Sequence, residues 1–371
     1  MSRQNLIAVG ALVAIALVIG FIETSKPEQA NSVAQEVALD ANERTAQKDA
    51  QYERAKEITT PDGFINTEPL TISEYIGKKV ILVDFWTYSC INCQRTLPYL
   101  TSWDEKYRDD GLLIVGVHTP EFEFEKMYDN VVRATEKWGV AYPVVLDNDY
   151  STWRAYRNQY WPRKYLIDID GYIVYDHIGE GGYDETEKKI VELLNERKQA
   201  LGESGSVVMK GGEPSDVDSV DTRQTITRET YLGSARIEFI RNLTRMSCLE
   251  DSCTYTFTNT STLQGYELSG NWKHEPENVT LESSTGALRI GFMANKVNLV
   301  AGSDTSVKAR ILIDGKEVNG ANAGSAVENG IVTFNEHDLY NLVDLKGEYG
   351  SHILEIQFLD SGISAFAFTF G

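Results

Sequence analysis

Hydrophobic and polar positions along the chain fall into two textures. From Ile58 to about Ala200, short apolar runs alternate with stretches of helical period. Val80-Ile81-Leu82-Val83-Asp84-Phe85 and Leu112-Leu113-Ile114-Val115-Gly116-Val117 predict buried strands. Between them Leu97, Leu100, Trp103 and Tyr107 mark one face of a helix. Phe122 to Trp138 predicts a second helix, Tyr142 to Leu146 a strand, and Tyr150 to Tyr156 a short helix. Tyr165-Leu166-Ile167-Asp168 and Tyr172 to Ile178 flank Asp170-Gly171, a hairpin turn signal. A last helix is predicted to start at the Asp184/Glu187 capping spacing and to carry Ile190, Leu194 and Arg197. Strand–helix alternation closing in a hairpin and a helix implies an α/β layout. From about Glu229 to Gly371 the period is two, as in Ala235 to Phe239, Cys253 to Thr258, Ser306 to Lys316, His352 to Phe358 and Ala365 to Phe370. Many short strands with turns between them predict an all-β sandwich.

The segments outside these regions divide the chain further. Leu6 to Ile22 is apolar and uncharged, with Arg3 before it and Glu23, Lys26 and Glu28 after it. Its length is about the minimum for a membrane span, and it also suits the core of a signal peptide, with Ser32-Val33-Ala34 as a distant cleavage site. An uncleaved anchor is the favoured reading; either reading places the remainder outside the cytoplasm, in the periplasm or its equivalent. Residues 23–57 are polar and Ala-rich and read as a helical or partly disordered spacer, and residues 201–228 as a flexible linker. The expected order is therefore 1–22 anchor, 23–57 spacer, 58–200 α/β domain, 201–228 linker and 229–371 sandwich. The length of 371 residues agrees with more than one domain. A formal net charge of −20 argues against nucleic acid as a partner, since phosphate binding needs a surplus of Lys and Arg.

Chemistry concentrates at Cys90-Ile91-Asn92-Cys93, which follows the first buried strand and precedes the first helix. A sulfur at a helix N-terminus is placed where the dipole favours a thiolate. A second cysteine three residues on can resolve a mixed disulfide. Asp84, beneath the strand end, is the candidate acid/base for the Cys93 proton; a plain capping acid is the alternative. Cys248 and Cys253, the other two of the four cysteines, enclose Leu-Glu-Asp-Ser between strand-like segments, which suits a structural disulfide. No His stands in ligand spacing beside either pair, so no metal is expected, and no cofactor beyond the Cys90–Cys93 couple.

The segment Ile58 to Lys198 resembles the thioredoxin superfamily, and within it the exported TlpA/ResA-like branch. Asp84 lies six residues before Cys90, Pro98 five after Cys93, and Trp161-Pro162 stands before Tyr165-Leu166-Ile167-Asp168. The wording Asp-Phe-Trp-Thr-Tyr-Ser-Cys-Ile-Asn-Cys, with Gly116-Val117-His118-Thr119-Pro120-Glu121-Phe122, is similar to the soluble half of DipZ-type proteins. Thr230-Tyr231-Leu232-Gly233 and the ending Ala367-Phe368-Thr369-Phe370-Gly371 resemble that family's carbohydrate-binding-module-like, jelly-roll sandwich. The resemblance implies a thioredoxin-like fold, Cys90 as nucleophile, Cys93 as resolving thiol, Asp84 as acid/base and a cis Pro162 facing the dithiol. DipZ-type proteins also carry a multi-helix electron-importing membrane domain, in place of which this chain has one apolar run. A separate CcdA- or DsbD-like membrane donor is the implied partner.

Trp86, Tyr88, Tyr160 and Trp161 are candidates for an apolar rim that receives a flexible polypeptide, with core packing as the alternative for part of the set, Trp86 above all. His118, Glu121 and Glu180 fall on loops where either a role beside the sulfurs or an ordinary polar contact fits. Trp272, Tyr266 and Tyr340 could stack on cell-envelope carbohydrate, or be core. The expected function is an extracytoplasmic thiol-disulfide oxidoreductase that reduces protein disulfides. The alternatives are a disulfide-forming or peroxide-reducing enzyme, and a carbohydrate- or partner-binding protein with an auxiliary dithiol.

Overall fold

The computed structural model describes residues 41–214, 217, 220, 221, 223–258 and 263–371. The apolar run Leu6 to Ile22 lies outside them. Among the described residues no helix is long and apolar enough to cross a membrane.

The first region forms a mixed sheet with helices around it. In chain order its elements are α1 (Ala41–Asp49), β1 (Glu53–Arg54), β2 (Gly63–Ile65), β3 (Val80–Trp86), α2 (Ile91–Tyr107), β4 (Leu112–His118), α3 (Tyr128–Lys137), β5 (Val144–Leu146), α4 (Ser151–Ala155), β6 (Arg163–Ile167), β7 (Tyr172–Ile178) and α5 (Tyr183–Ala200). The strand order is β1-β7-β6-β3-β4-β5-β2, with β3, β4 and β5 parallel and the others antiparallel to their neighbours. Every residue of β3 is buried because the sheet is covered on both faces. Strand parity sends Val80, Leu82 and Trp86 into the core that contains Cys93, Leu97 and Leu100, and Ile81, Val83 and Phe85 into the opposite one. Asp84 shares the parity of Leu82 and Trp86, so its carboxyl belongs to the face covered by α2.

Four sequence expectations change here. The helix expected over Phe122 to Trp138 is split: a 3-10 turn spans Glu123–Lys126, Met127 is extended, and α3 starts at Tyr128. The Asp184/Glu187 spacing does not cap α5; its N-cap is Gly182 in the left-handed region, and Glu187 instead accepts from the Tyr107 hydroxyl at 2.6 Å. The stretch read as a helical or partly disordered spacer does hold a helix, α1, but it also packs on the domain: it supplies the edge strand β1, and Lys48 of α1 pairs with Asp168, Asp170 and Glu196 at 2.5–2.8 Å. Part of the stretch read as a flexible linker also packs: Val207 is buried between its two bonds to the Asn195 side chain, and the Lys210 N–H donates to Tyr107 Oη.

The second region is an all-β sandwich of β8 (Thr230–Tyr231), β9 (Ser252–Tyr255), β10 (Tyr266–His274), β11 (Val279–Leu281), β12 (Gly286–Ala294), β13 (Lys296–Gly302), β14 (Val307–Ile313), β15 (Lys316–Glu317), β16 (Val327–Glu328), β17 (Ile331–Phe334), β18 (Asp338–Asp344), β19 (Gly350–Phe358) and β20 (Ser364–Phe370). One sheet runs β16-β17-β14-β19-β12-β10 and the other β10-β11-β20-β13-β18. The long strand β10 belongs to both: Tyr266–Ser269 pair with β12, and Gly270–Lys273 pair with β9. It turns at Gly270, whose φ of +105° only glycine adopts readily. The alternating segment Ala235 to Phe239 forms no strand; Arg236 reaches across to Glu121, and Phe239 has positive φ.

The sandwich packs on the first domain. Phe366, Leu339 and Val300 join the core that holds Phe122 and Phe124, and Phe366 meets Phe124 edge-on at 4.8 Å between centroids.

Candidate active site

The sulfur pair sits where β3 hands over to α2. Cys90 is the N-cap residue of the helix, in extended conformation, and the Cys93 N–H donates to its Sγ at 3.4 Å. That N–H belongs to the first turn of α2 and points at the Cys90 sulfur. Cys90 is half-buried and Cys93 is buried, and the two thiols are unbonded. Burial first, then the Cys90 hydrogen bond and charge, and then Asp84, push the Cys93 thiol well above its usual range. The two sulfurs are thus chemically distinct, one half-buried at the helix cap and one buried and held protonated.

Asp84 lies wholly buried on the same face of the sheet. Burial raises its pKa from 3.8 to about 7, with Lys164 opposing the rise. Lys164 is its direct cross-strand partner on β6, fully buried, with Nζ donating to the Gly179 carbonyl at 3.2 Å. Burial lowers the Lys164 pKa, opposed by Asp84 and then Cys93. The Trp161–Pro162 bond is cis. The Trp161 indole donates to the Thr119 carbonyl and packs tilted against Trp153, 4.3 Å between ring centroids, which leaves Trp161 half-buried beside an exposed Tyr160.

Trp86 and Tyr88 do not form the rim. Trp86 is fully buried, and Tyr88 is 4% exposed with its hydroxyl on the His337 carbonyl of the sandwich. Both are too enclosed to meet a polypeptide; strand parity makes Trp86 core, and the second domain covers Tyr88. His118 is buried, stacked on Tyr88 and 3.4 Å from Thr87 Oγ1; burial lowers its pKa to about 3, so it is neutral. Glu121 does not reach the sulfurs: it accepts from Tyr231 Oη at 2.7 Å and Arg236 Nη1 at 2.8 Å, both of the sandwich. Glu180 pairs with Arg95 of α2 at 3.2 Å. Cys248 and Cys253 are joined in a buried disulfide with Cα atoms 5.5 Å apart. Trp272 and Tyr266 are core residues with no exposed ring face, which removes them as sugar platforms; Tyr340 is half-buried at a cleft of about 460 Å³ between the domains.

The comparisons with known proteins fit this geometry. Residues 51–194 match the Redoxin family, and residues 227–371 match the family described as a thioredoxin-like C-terminal domain. Protein DipZ of Mycobacterium tuberculosis is 32% identical over 323 residues, 84% of this chain and 43% of DipZ. The dithiol domain has a thioredoxin-like fold, in keeping with its match to the Redoxin family. This chain spans less than half the length of DipZ, the same 43%. The thiol-disulfide oxidoreductase YkuV of Bacillus subtilis is 29% identical over 140 residues, 38% of this chain and 93% of YkuV. ResA of Halalkalibacterium halodurans, also named a thiol-disulfide oxidoreductase, is 29% identical over 127 residues, 34% of this chain and 68% of ResA.

Two buried charged residues beside the dithiol, Lys164 and Glu125, escaped the sequence reading. Lys164 carries a signal in strand parity: if Leu166 faces inward, so does Lys164, and a lysine inside a sheet needs an acid opposite. Glu125 carries none, because it sits within Glu121-Phe-Glu-Phe-Glu125, where any of three acids could face solvent. In the structure it is fully buried against the turn before Cys90.

Proposed function

We propose that this protein reduces disulfides of exported proteins by exchange at Cys90 and Cys93. The observation that carries the reading is the asymmetry of the two sulfurs, Cys90 reachable at the helix cap and Cys93 buried above Asp84. The Cys90 thiolate attacks one sulfur of the substrate disulfide; a mixed disulfide forms and one substrate thiolate leaves. Asp84 takes the Cys93 proton. The Cys93 thiolate then attacks Cys90 Sγ, a Cys90–Cys93 disulfide forms and the second substrate thiolate departs. Two electrons have passed to the substrate. A membrane dithiol donor of the CcdA or DsbD type restores the pair, with Leu6 to Ile22 anchoring the chain beside it. Trp161, Tyr160 and Pro162 form the surface that receives the substrate.

Trapping tests the exchange. A Cys93→Ser chain mixed with a peptide carrying one internal disulfide is expected to accumulate a mixed disulfide at Cys90, and a Cys90→Ser chain none. Equal trapping at both positions would sink the assignment. Recovery of the full chain in an alkaline-washed membrane pellet tests the anchor; release into the supernatant would contradict it.

A further inference from the structure

We propose that Glu125 is a positioning residue for the Cys90 sulfur, holding the turn that presents it to the loop that the sandwich grips. The carboxylate is fully buried. One oxygen accepts from the Ser89 N–H at 3.2 Å and the Ser89 hydroxyl at 2.6 Å. The other accepts from the N–H groups of Glu121 at 2.6 Å and Phe122 at 2.9 Å. Four donors on one buried carboxylate form a staple between two loops that share no strand pairing at that point. Ser89 precedes Cys90, so the staple fixes where the helix cap begins.

The second loop is the one the sandwich holds. Glu121 receives Tyr231 and Arg236, and Phe122 meets Phe366 at 5.2 Å between centroids. Tyr88, on the other side of Ser89, donates to the His337 carbonyl at 3.2 Å. The nucleophile turn is therefore fastened on both sides, once through Glu125 and once directly. The sandwich acts on the dithiol through these contacts without touching a sulfur.

Glutamine cannot replace the staple. Its single oxygen can serve Glu121 and Phe122, but its NH₂ then faces the Ser89 N–H, donor against donor. A buried N–H is left unpaired and the turn relaxes.

The inference rests on Cys90 being the attacking thiol. Its test uses the full chain and no disulfide-bearing protein, so failure of the exchange reading and failure of this one give different results. Iodoacetamide alkylation of Cys90 is timed at neutral pH in a Cys93→Ser background. The equilibrium of the intact pair with glutathione is measured beside it. Glu125→Gln is expected to slow alkylation about ten-fold and to move the equilibrium about ten-fold toward the disulfide, the factor set by losing one charge-assisted bond. Ser89→Ala, which removes one donor and keeps the Ser89 N–H limb, is expected to slow alkylation about three-fold. A folded Glu125→Gln chain that matches the parent in both readouts would overturn the proposal. Should that variant fail to fold, an unchanged alkylation rate in Ser89→Ala would overturn it instead.

Discussion

Asp84 and His118 stand on neighbouring strands, both wholly buried, and their titrations act on stability in opposite senses. Asp84 keeps its proton in the folded chain up to about pH 7, against a reference of 3.8. Between those values the folded state binds the proton that the unfolded state has lost, so stability falls as pH rises, by an amount on the order of 4 kcal/mol. His118 is held neutral down to about pH 3, against 6.5. Between pH 3 and 6.5 the unfolded state binds the extra proton, so stability is lost as pH falls through that range. The two slopes offset each other from about pH 4 to 6.5. Denaturant melts across pH should therefore show Asp84→Asn gaining on the parent as pH rises from 4 to 8, and a His118→Gln chain losing stability with rising pH more steeply than the parent between about pH 4 and 6.5. An Asp84→Asn difference that is flat with pH would contradict the assignment. Asp84→Asn should also slow release of the mixed disulfide about 10²-fold at pH 7, the low end for a lost acid/base. Asp84 was legible because strand, spacing and cysteine agree; its partner Lys164 was not, since only pairing register reveals which lysine faces it.

At the scale of elements, α2 and β3 were legible nearly to the residue because a continuous apolar run and a helical stripe meet at the dithiol. The break at Met127 was not, because the donors of Glu121 and Phe122 that shape the turn before it bond to a side chain rather than along a helix. The double membership of β10 was equally hidden, since it depends on a positive φ at Gly270 and on what lies around it. A Cβ there would fall 2.9 Å from Ser283 Oγ and 3.1 Å from the Gly286 Cα. Gly270→Ala is expected to destabilise the sandwich by about 2 kcal/mol or more, read by thermal melting, through crowding and backbone strain together. No loss of stability would show that the strand does not bend there. The Cys248–Cys253 bridge closes a short loop, so Cys248→Ser with Cys253→Ser should cost about 2 kcal/mol while leaving Cys90 alkylation unchanged. A fall in the alkylation rate would instead make that bridge part of the redox chemistry.

At the scale of the molecule, the two textures in the sequence mark two folds, but their packing was beyond the pattern. Aromatics at strand spacing do not say which of them leave their own core, and Phe366, Leu339 and Val300 do. The same blindness put Tyr88 on a rim and left Trp86, Trp272 and Tyr266 open between binding surface and core, where burial now places all four inside. Phe366 bridges Phe122, Phe124 and His337, so Phe366→Ala should cost about 3 kcal/mol and separate one unfolding transition into two in calorimetry. A single transition with unchanged midpoint would mean that the domains fold independently of this contact. The direction of electron flow remains the central claim, and the midpoint potential of the Cys90–Cys93 pair in the full chain, equilibrated against graded thiol buffers, tests it most directly. A value near or below about −230 mV, on the thioredoxin and glutaredoxin side of the scale, is the result predicted for a reductase. A value near about −120 mV, at the strong-oxidant end, would contradict it and make the protein a disulfide-forming enzyme.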